Sequence, residues 1–174
     1  MTSSVRFPYI ERDAAVGNLS RMPFLPLELA ANGLIIPALA MLDTGSSLNV
    51  LPYALGRAFG FVWEQQTTRI QLSGSLGEAE SRAVALRVTI APFASVLLAF
   101  AWTQAENAPL LLGQMNFFQE FDVCFFERKA SSRLLPACRP DAHRAKAHRI
   151  APPQIDLRRR RLICGGAFCR LPVS

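Results

Sequence analysis

Histidine is nearly absent from this chain of 174 residues: there are two, His143 and His148, both close to the C-terminal end. The residues before them therefore offer no Ser–His or Cys–His pair, and Ser46, Ser47 and Cys124 lack the base that ordinarily activates such nucleophiles. Cysteine is sparse as well, and Cys124, Cys138, Cys164 and Cys169 are too few and too scattered for a disulfide framework. His143/His148 and Cys164/Cys169 are spaced unlike zinc ligands, so neither a metal nor another cofactor is expected. The longest apolar run, residues 88–102 (VTIAPFASVLLAFAW), is interrupted by Pro92 and falls short of the roughly 18 residues a spanning helix needs. Residues 1–13 lack the apolar segment of a secretory signal. The glycines at 74 and 77 have neither the spacing nor the following lysine of a phosphate-binding loop. These absences predict a soluble, cytoplasmic protein without membrane contact.

Charged residues make up only 18% of the sequence and hydrophobic ones 51%, which excludes global disorder and predicts a sizeable core. The formal charge of +6 is unevenly placed. Residues 1–136 carry ten basic and eleven acidic side chains, whereas residues 137–174 carry nine and two. The C-terminal stretch is rich in Arg, Ala, Pro and His, has no usable periodicity and includes four consecutive arginines at 158–161. Two parts are therefore expected: a domain over residues 16–136 and a basic, disordered tail over 137–174. The tail could attract nucleic acid through charge alone. It has no interleaved aromatics to stack on bases, and the domain has no basic surplus, so nucleic acid is otherwise not expected as a partner.

Residues 16–136 read as short strands. Residues 24–31 (FLPLELAA) alternate through Leu25, Leu27 and Leu29. Asn32-Gly33 is the pair best suited to a tight hairpin with positive φ. Residues 34–42 (LIIPALAML) return with apolar residues on both faces, which predicts a central, buried strand; Pro37 predicts a bulge or an edge stretch there. Residues 48–61 suit a short helix with Pro52 in its first turn, Tyr53, Leu55 and Phe59 on its apolar face and Gly56 weakening it. Residues 67–72 and 81–90 form a hairpin pair about 73–78. Val84, Leu86, Val88 and Ile90 make one alternating face, and Val96, Leu98, Phe100 and Trp102 another, a pattern of core rather than of a ligand groove. A strand at 109–113, a helical turn at 114–121 and a hairpin of 122–126 with 132–135 complete the series. Such strands, separated by turn signals, predict an all-β barrel or sandwich with one or two short helices. Tyr9, Trp63, Glu78 and Glu80 carry no readable signal.

The chemically informative segment is residues 38–52, ALAMLDTGSSLNVLP. A strand runs into Asp43-Thr44-Gly45-Ser46-Ser47, and apolar residues resume at Leu48. A plain turn would account for Asp, Gly and Ser, but not for the apolar flanks. The segment resembles the active-site loop of aspartic peptidases: an apolar strand, Asp-Thr-Gly-Ser, then apolar residues again. With one copy in a chain too short for two lobes, it is similar to the retropepsin-like, retroviral type in its bacterial, single-lobed form. The resemblance spans about residues 23–136 and implies a small acid-protease-like barrel. It also implies a flexible flap, here Ser73, Gly74, Ser75, Leu76 and Gly77 within residues 70–79. A second apolar-apolar-Gly stretch entering a short helix is matched by Leu111-Leu112-Gly113-Gln114-Met115-Asn116-Phe117-Phe118, and a terminal hairpin over 121–135 is typical of bacterial members. Retroviral members usually have Arg after that Gly, paired with an acid two places beyond the active-site Gly. Here those positions are Gln114 and Ser47, and losing both partners together avoids an unpaired buried charge.

The implied activity is that of an aspartic endopeptidase acting on polypeptide. Hydrolysis without a metal or a covalent nucleophile needs a base to activate water and an acid to polarise the carbonyl. Two carboxylates a few ångströms apart share one proton and supply both. With one Asp43 per chain, the pair requires a two-fold homodimer that closes the active site on its axis. In that arrangement Thr44 would hydrogen-bond across the axis, Gly45 would let the two backbones approach, and the Ser46 hydroxyl would donate to the outer oxygen of Asp43. The competing reading is a non-catalytic dimeric module of the same fold that grips an extended peptide without cutting it.

Overall fold

Period-2 alternation builds the core of the computed structural model, which describes residues 4–11, 20–72 and 79–137 together with three short strands at 155–156, 161–164 and 167–170. In chain order the elements are β1 (Val5–Pro8), β2 (Ile10–Glu11), β3 (Arg21–Met22), β4 (Phe24–Ala31), β5 (Leu34–Leu42), β6 (Val50–Pro52), α1 (Tyr53–Ala58), β7 (Arg69–Gln71), β8 (Glu80–Thr89), β9 (Val96–Thr103), β10 (Leu111–Leu112), α2 (Phe117–Glu120), β11 (Phe121–Phe126), β12 (Ser131–Pro136), β13 (Ile155–Asp156), β14 (Arg161–Cys164) and β15 (Ala167–Arg170). The chain divides into two compact units, residues 1–137 and 138–174. No helix among the described residues is long and apolar enough to cross a membrane.

In the first unit β4, β5, β10, β6, β9 and β8 pair in that order, and β8 returns to β4, closing a six-stranded barrel. One edge of β8 serves two partners: residues 80–82 pair with β7 and residues 87–89 with β4. Closure leaves these strands few free edges. The alternating residues point inward as their spacing requires: Leu25, Leu27 and Leu29 from β4, Val84, Leu86 and Val88 from β8, and Leu98, Phe100 and Trp102 from β9 form one buried cluster. Truncating one of these leucines to alanine costs about 2–5 kcal/mol in such a core. A separate antiparallel sheet, β1-β12-β11, flanks the barrel sequence at both ends. Val5–Pro8 pairs with Ser131–Leu134 there, so the first unit reaches further towards the N-terminus than residue 16. A four-residue strand ending in proline is too short to show a period.

The β4–β5 hairpin turns on Asn32 (φ 50°) and Gly33 (φ 77°), the two positive values a two-residue turn demands. Asn32 Nδ2 also donates to the Phe59 carbonyl at 2.9 Å, tying the turn to the end of α1. One expectation for β5 needs correction. The strand lies between β4 and β10, but only one of its faces is covered: Ile36, Ala38, Ala40 and Leu42 pack on the core, whereas Ile35 and Leu39 on the other face are exposed, as is Leu34 beside the turn. Pro37 sits opposite Glu28 in an unbroken register, so it marks an edge stretch and not a bulge. Gly56, read as a weakness in the helix, is buried under Trp102; a Cβ there would run into the indole ring. Trp102 Nε1 donates to the Tyr53 carbonyl at 3.1 Å, and Trp63 meets the same indole edge-on at 5.1 Å.

In the second unit β13, β14 and β15 form an antiparallel sheet with Arg161 opposite Arg170 and Cys164 opposite Ala167. The sequence showed no strand pattern here. Otherwise the disordered-tail expectation falls on residues outside the described ones, as do His143 and His148.

Candidate active site

Asp43 follows the last residue of β5, at the start of a loop, residues 43–49, that leads into β6. Strand β10 lies between the two strands that flank this loop. It runs parallel to β5 (Met41↔Leu111, Leu42↔Leu112) and antiparallel to β6 (Leu111↔Val50). The loop must therefore pass around the end of β10, where residues 113–116 emerge. The Asp43 N–H continues the ladder by donating to the Leu112 carbonyl at 3.0 Å.

Beyond that point the emerging turn grips the loop. The backbone N–H of Gln114 donates to the Ser46 carbonyl (2.9 Å), and that of Met115 donates to the Ser47 carbonyl (2.8 Å). Gln114 Nε2 donates to the Thr44 carbonyl at 2.6 Å. The loop is also folded on itself. Ser46 N–H donates to the Asp43 carbonyl at 3.2 Å. The Gly45 N–H donates to Asp43 Oδ1 at 2.9 Å. Asp43 is half-buried, while Thr44 and Gly45 are exposed. The arrangement presents an oriented carboxylate on a braced, open loop.

Asn49 is the buried hub beneath the loop, 1% exposed. Its Oδ1 accepts from Gly113 N–H at 2.8 Å, and its Nδ2 donates to the Ala99 carbonyl at 2.9 Å. Its own carbonyl accepts from Ala101 N–H at 2.8 Å. Asn116 Oδ1 takes the Ala99 N–H at 2.6 Å. Gly113 has no room for a side chain: a Cβ would collide with the Leu48 carbonyl oxygen and lie 2.7 Å from the Ser46 oxygen. Sequence reasoning missed Asn49 and Asn116. The one available signal was a polar residue set between Leu48 and Val50 in an otherwise apolar run.

The residues singled out from sequence thus fall in three places. Asp43, Thr44, Gly45 and Ser46 share the loop, and Gln114 touches it. The Ser46 hydroxyl, expected to donate to Asp43 in the dimer, donates in the single chain to the Leu48 carbonyl at 2.7 Å. The flap residues Ser73, Gly74, Ser75, Leu76 and Gly77 lie outside the described residues. Their flanking strands are paired, with Ile70 opposite Ser81 and Gln71 opposite Glu80. Arg82 anchors that root: it bonds the Gln66 carbonyl (3.0 Å) and Glu80 (2.8 Å), with its guanidinium over the Trp63 ring. Met41 packs on a second apolar cluster of Val50, Leu72, Ala101, Ala108 and Leu111.

No protein-family model matches the sequence, and no curated protein does. Among solved structures, a retropepsin-like aspartic protease from Rickettsia conorii superposes with a TM-score of 0.51 at 18% sequence identity, covering 79% of this chain and 97% of that one. The all-β barrel with its two short helices is a retropepsin-like fold.

Proposed function

We propose that the chain is an aspartic endopeptidase that hydrolyses polypeptides in the cytoplasm with two Asp43 carboxylates, one from each protomer of a homodimer. The observation that carries this reading is the position of Asp43: one oriented carboxylate per chain, on a braced loop, with Thr44 and Gly45 open to a second copy. The reaction follows from a shared proton. The ionised Asp43 takes a proton from water while the oxygen attacks the scissile carbonyl carbon, and the protonated Asp43 of the other protomer gives its proton to the carbonyl oxygen. Return of a proton to the nitrogen then releases the amine as the C–N bond breaks.

The test is cleavage of a diverse peptide pool by wild-type and Asp43→Asn protein. Asp43→Asn keeps the loop's size and its Oδ1 acceptor but supplies neither base nor acid, so cleavage should vanish while the fold persists. Excess Asp43→Ala protomers should poison wild-type activity through heterodimers, and dilution should abolish it. An active Asp43→Asn enzyme overturns the assignment. No Asp43-dependent cleavage at any acidic or neutral pH, with peptide still bound, favours the non-catalytic dimeric module.

A further inference from the structure

The Thr44–Gly45 peptide plane is held from both ends. Its carbonyl accepts from Gln114 Nε2 at 2.6 Å, and its N–H donates to Asp43 Oδ1 at 2.9 Å. The two bonds lie in series, so the side chain of Gln114 reaches the carboxylate through a single peptide. The other two bonds from the same turn come from backbone N–H groups, of Gln114 and Met115, and any residue other than proline could supply them. Only the third depends on which side chain stands at 114. It holds a plane that includes a glycine, and glycine makes a peptide flip between turn conformations cheap. A flip would take the Gly45 N–H away from Asp43. Hydrogen bonds in series also polarise one another, which strengthens the outer bond when the inner one is made.

We propose that Gln114 is a positioning residue: it fixes the Thr44–Gly45 peptide and thereby orients the Asp43 carboxylate. Its effect on turnover rests on the peptidase reading, but its effect on the peptide plane does not. Gln114 is exposed, so replacing it opens no cavity, and its variants are expected to fold. The role needs a donor and not a charge.

Two variants separate these. Gln114→Met keeps the length and removes the donor at every pH. Gln114→Glu removes the donor when ionised and restores an O–H donor when protonated, below about pH 4. The direct readout is amide hydrogen exchange at Gly45. It should quicken roughly fivefold in Gln114→Met, in keeping with one lost net hydrogen bond, and in Gln114→Glu it should quicken only above the carboxyl pKa. In turnover, kcat should fall by a similar factor with KM within twofold, and Gln114→Glu should return towards wild type as the pH drops while Gln114→Met does not. Unchanged Gly45 exchange in Gln114→Met overturns the proposal, whatever the activity. So does a Gln114→Glu variant that recovers while Gln114→Met is as active as wild type, since charge alone would then explain both. If Gly45 exchange responds and even the wild type cleaves nothing, the positioning role stands and the peptidase reading falls.

Discussion

Replacing Asn49 with leucine tests whether the loop is held by a buried polar hub or merely by packing. Leucine has the branched shape of asparagine but larger methyl ends, so the substitution deletes the amide and adds slight overpacking where the polar atoms had sat at hydrogen-bond distance. Two groups lose their partners: the Gly113 N–H, at a buried residue, and the Ala99 carbonyl, which water can partly reach. An orphaned buried donor costs about 1–3 kcal/mol and a partly hydrated carbonyl less, so a destabilisation of about 2–3 kcal/mol is expected. For a unit of this size that lowers Tm by roughly 8–12 °C. Urea unfolding followed by circular dichroism should show a lower midpoint with an unchanged slope, the mark of a stability change without a change in exposed surface. Asn49→Asp sharpens the test. It keeps an acceptor for Gly113 but turns an oxygen towards the Ala99 carbonyl, and burial of that charge raises the new carboxyl's pKa. A raised folded-state pKa means stability is present below the unfolded value and lost as pH rises through the folded one, so this variant should gain on wild type with acidification. An Asn49→Leu protein within about 0.5 kcal/mol of wild type, the range of a neutral surface change, would refute the hub.

Gly113→Ala should cost about 1–3 kcal/mol or more, because its Cβ meets backbone atoms of Leu48 and Ser46 that cannot swing aside; an unchanged melting temperature would contradict that close approach. Tyr9 is pushed up to about 12 by burial first, then by its 2.9 Å hydrogen bond to Glu127 and that residue's charge. Since its folded pKa lies above the usual value near 10, its contribution to stability is complete below about pH 10 and fades as pH rises towards 12. Ultraviolet titration should find a late phenolate that Glu127→Gln shifts earlier, and a titration that Glu127→Gln leaves unchanged would exclude the contact.

The barrel was legible because its strands keep a strict period. Leu25, Leu27 and Leu29, and likewise Val84, Leu86 and Val88, repeat every second residue, and the Asn32-Gly33 turn has essentially one conformation to offer. Asp43 was legible because a polar, glycine-containing break between apolar strands is unusual. What stayed hidden depends on contacts distant in sequence. Leu34, Ile35 and Leu39 read as buried because apolar residues on both faces do not reveal that only one face of the strand is covered. The importance of Gly56 depends on Trp102, and that of Gly113 on Leu48. In the single chain the Ser46 hydroxyl is taken by the Leu48 carbonyl, since local turn geometry and not residue type decides a hydroxyl's partner.

The brevity of β10 also explains the chemistry of the residues around Asp43. Leu111 and Leu112 pair with β5, and past them the ladder stops just where the loop needs support. Three carboxamides add to the backbone bonds of Gln114 and Met115 there: Asn49 joins Gly113 to Ala99, Asn116 takes the other polar group of Ala99, and Gln114 holds Thr44. An amide carries both a donor and an acceptor, so it can bridge two strands that are too far apart to bond directly. It also carries no charge and does not titrate. Within residues 43–49 and 113–116 the one ionisable carboxyl is that of Asp43. A scaffold built of ion pairs would loosen in acid as its carboxylates took up protons. This one has no second carboxyl to titrate, which suits the base-and-acid role proposed for Asp43.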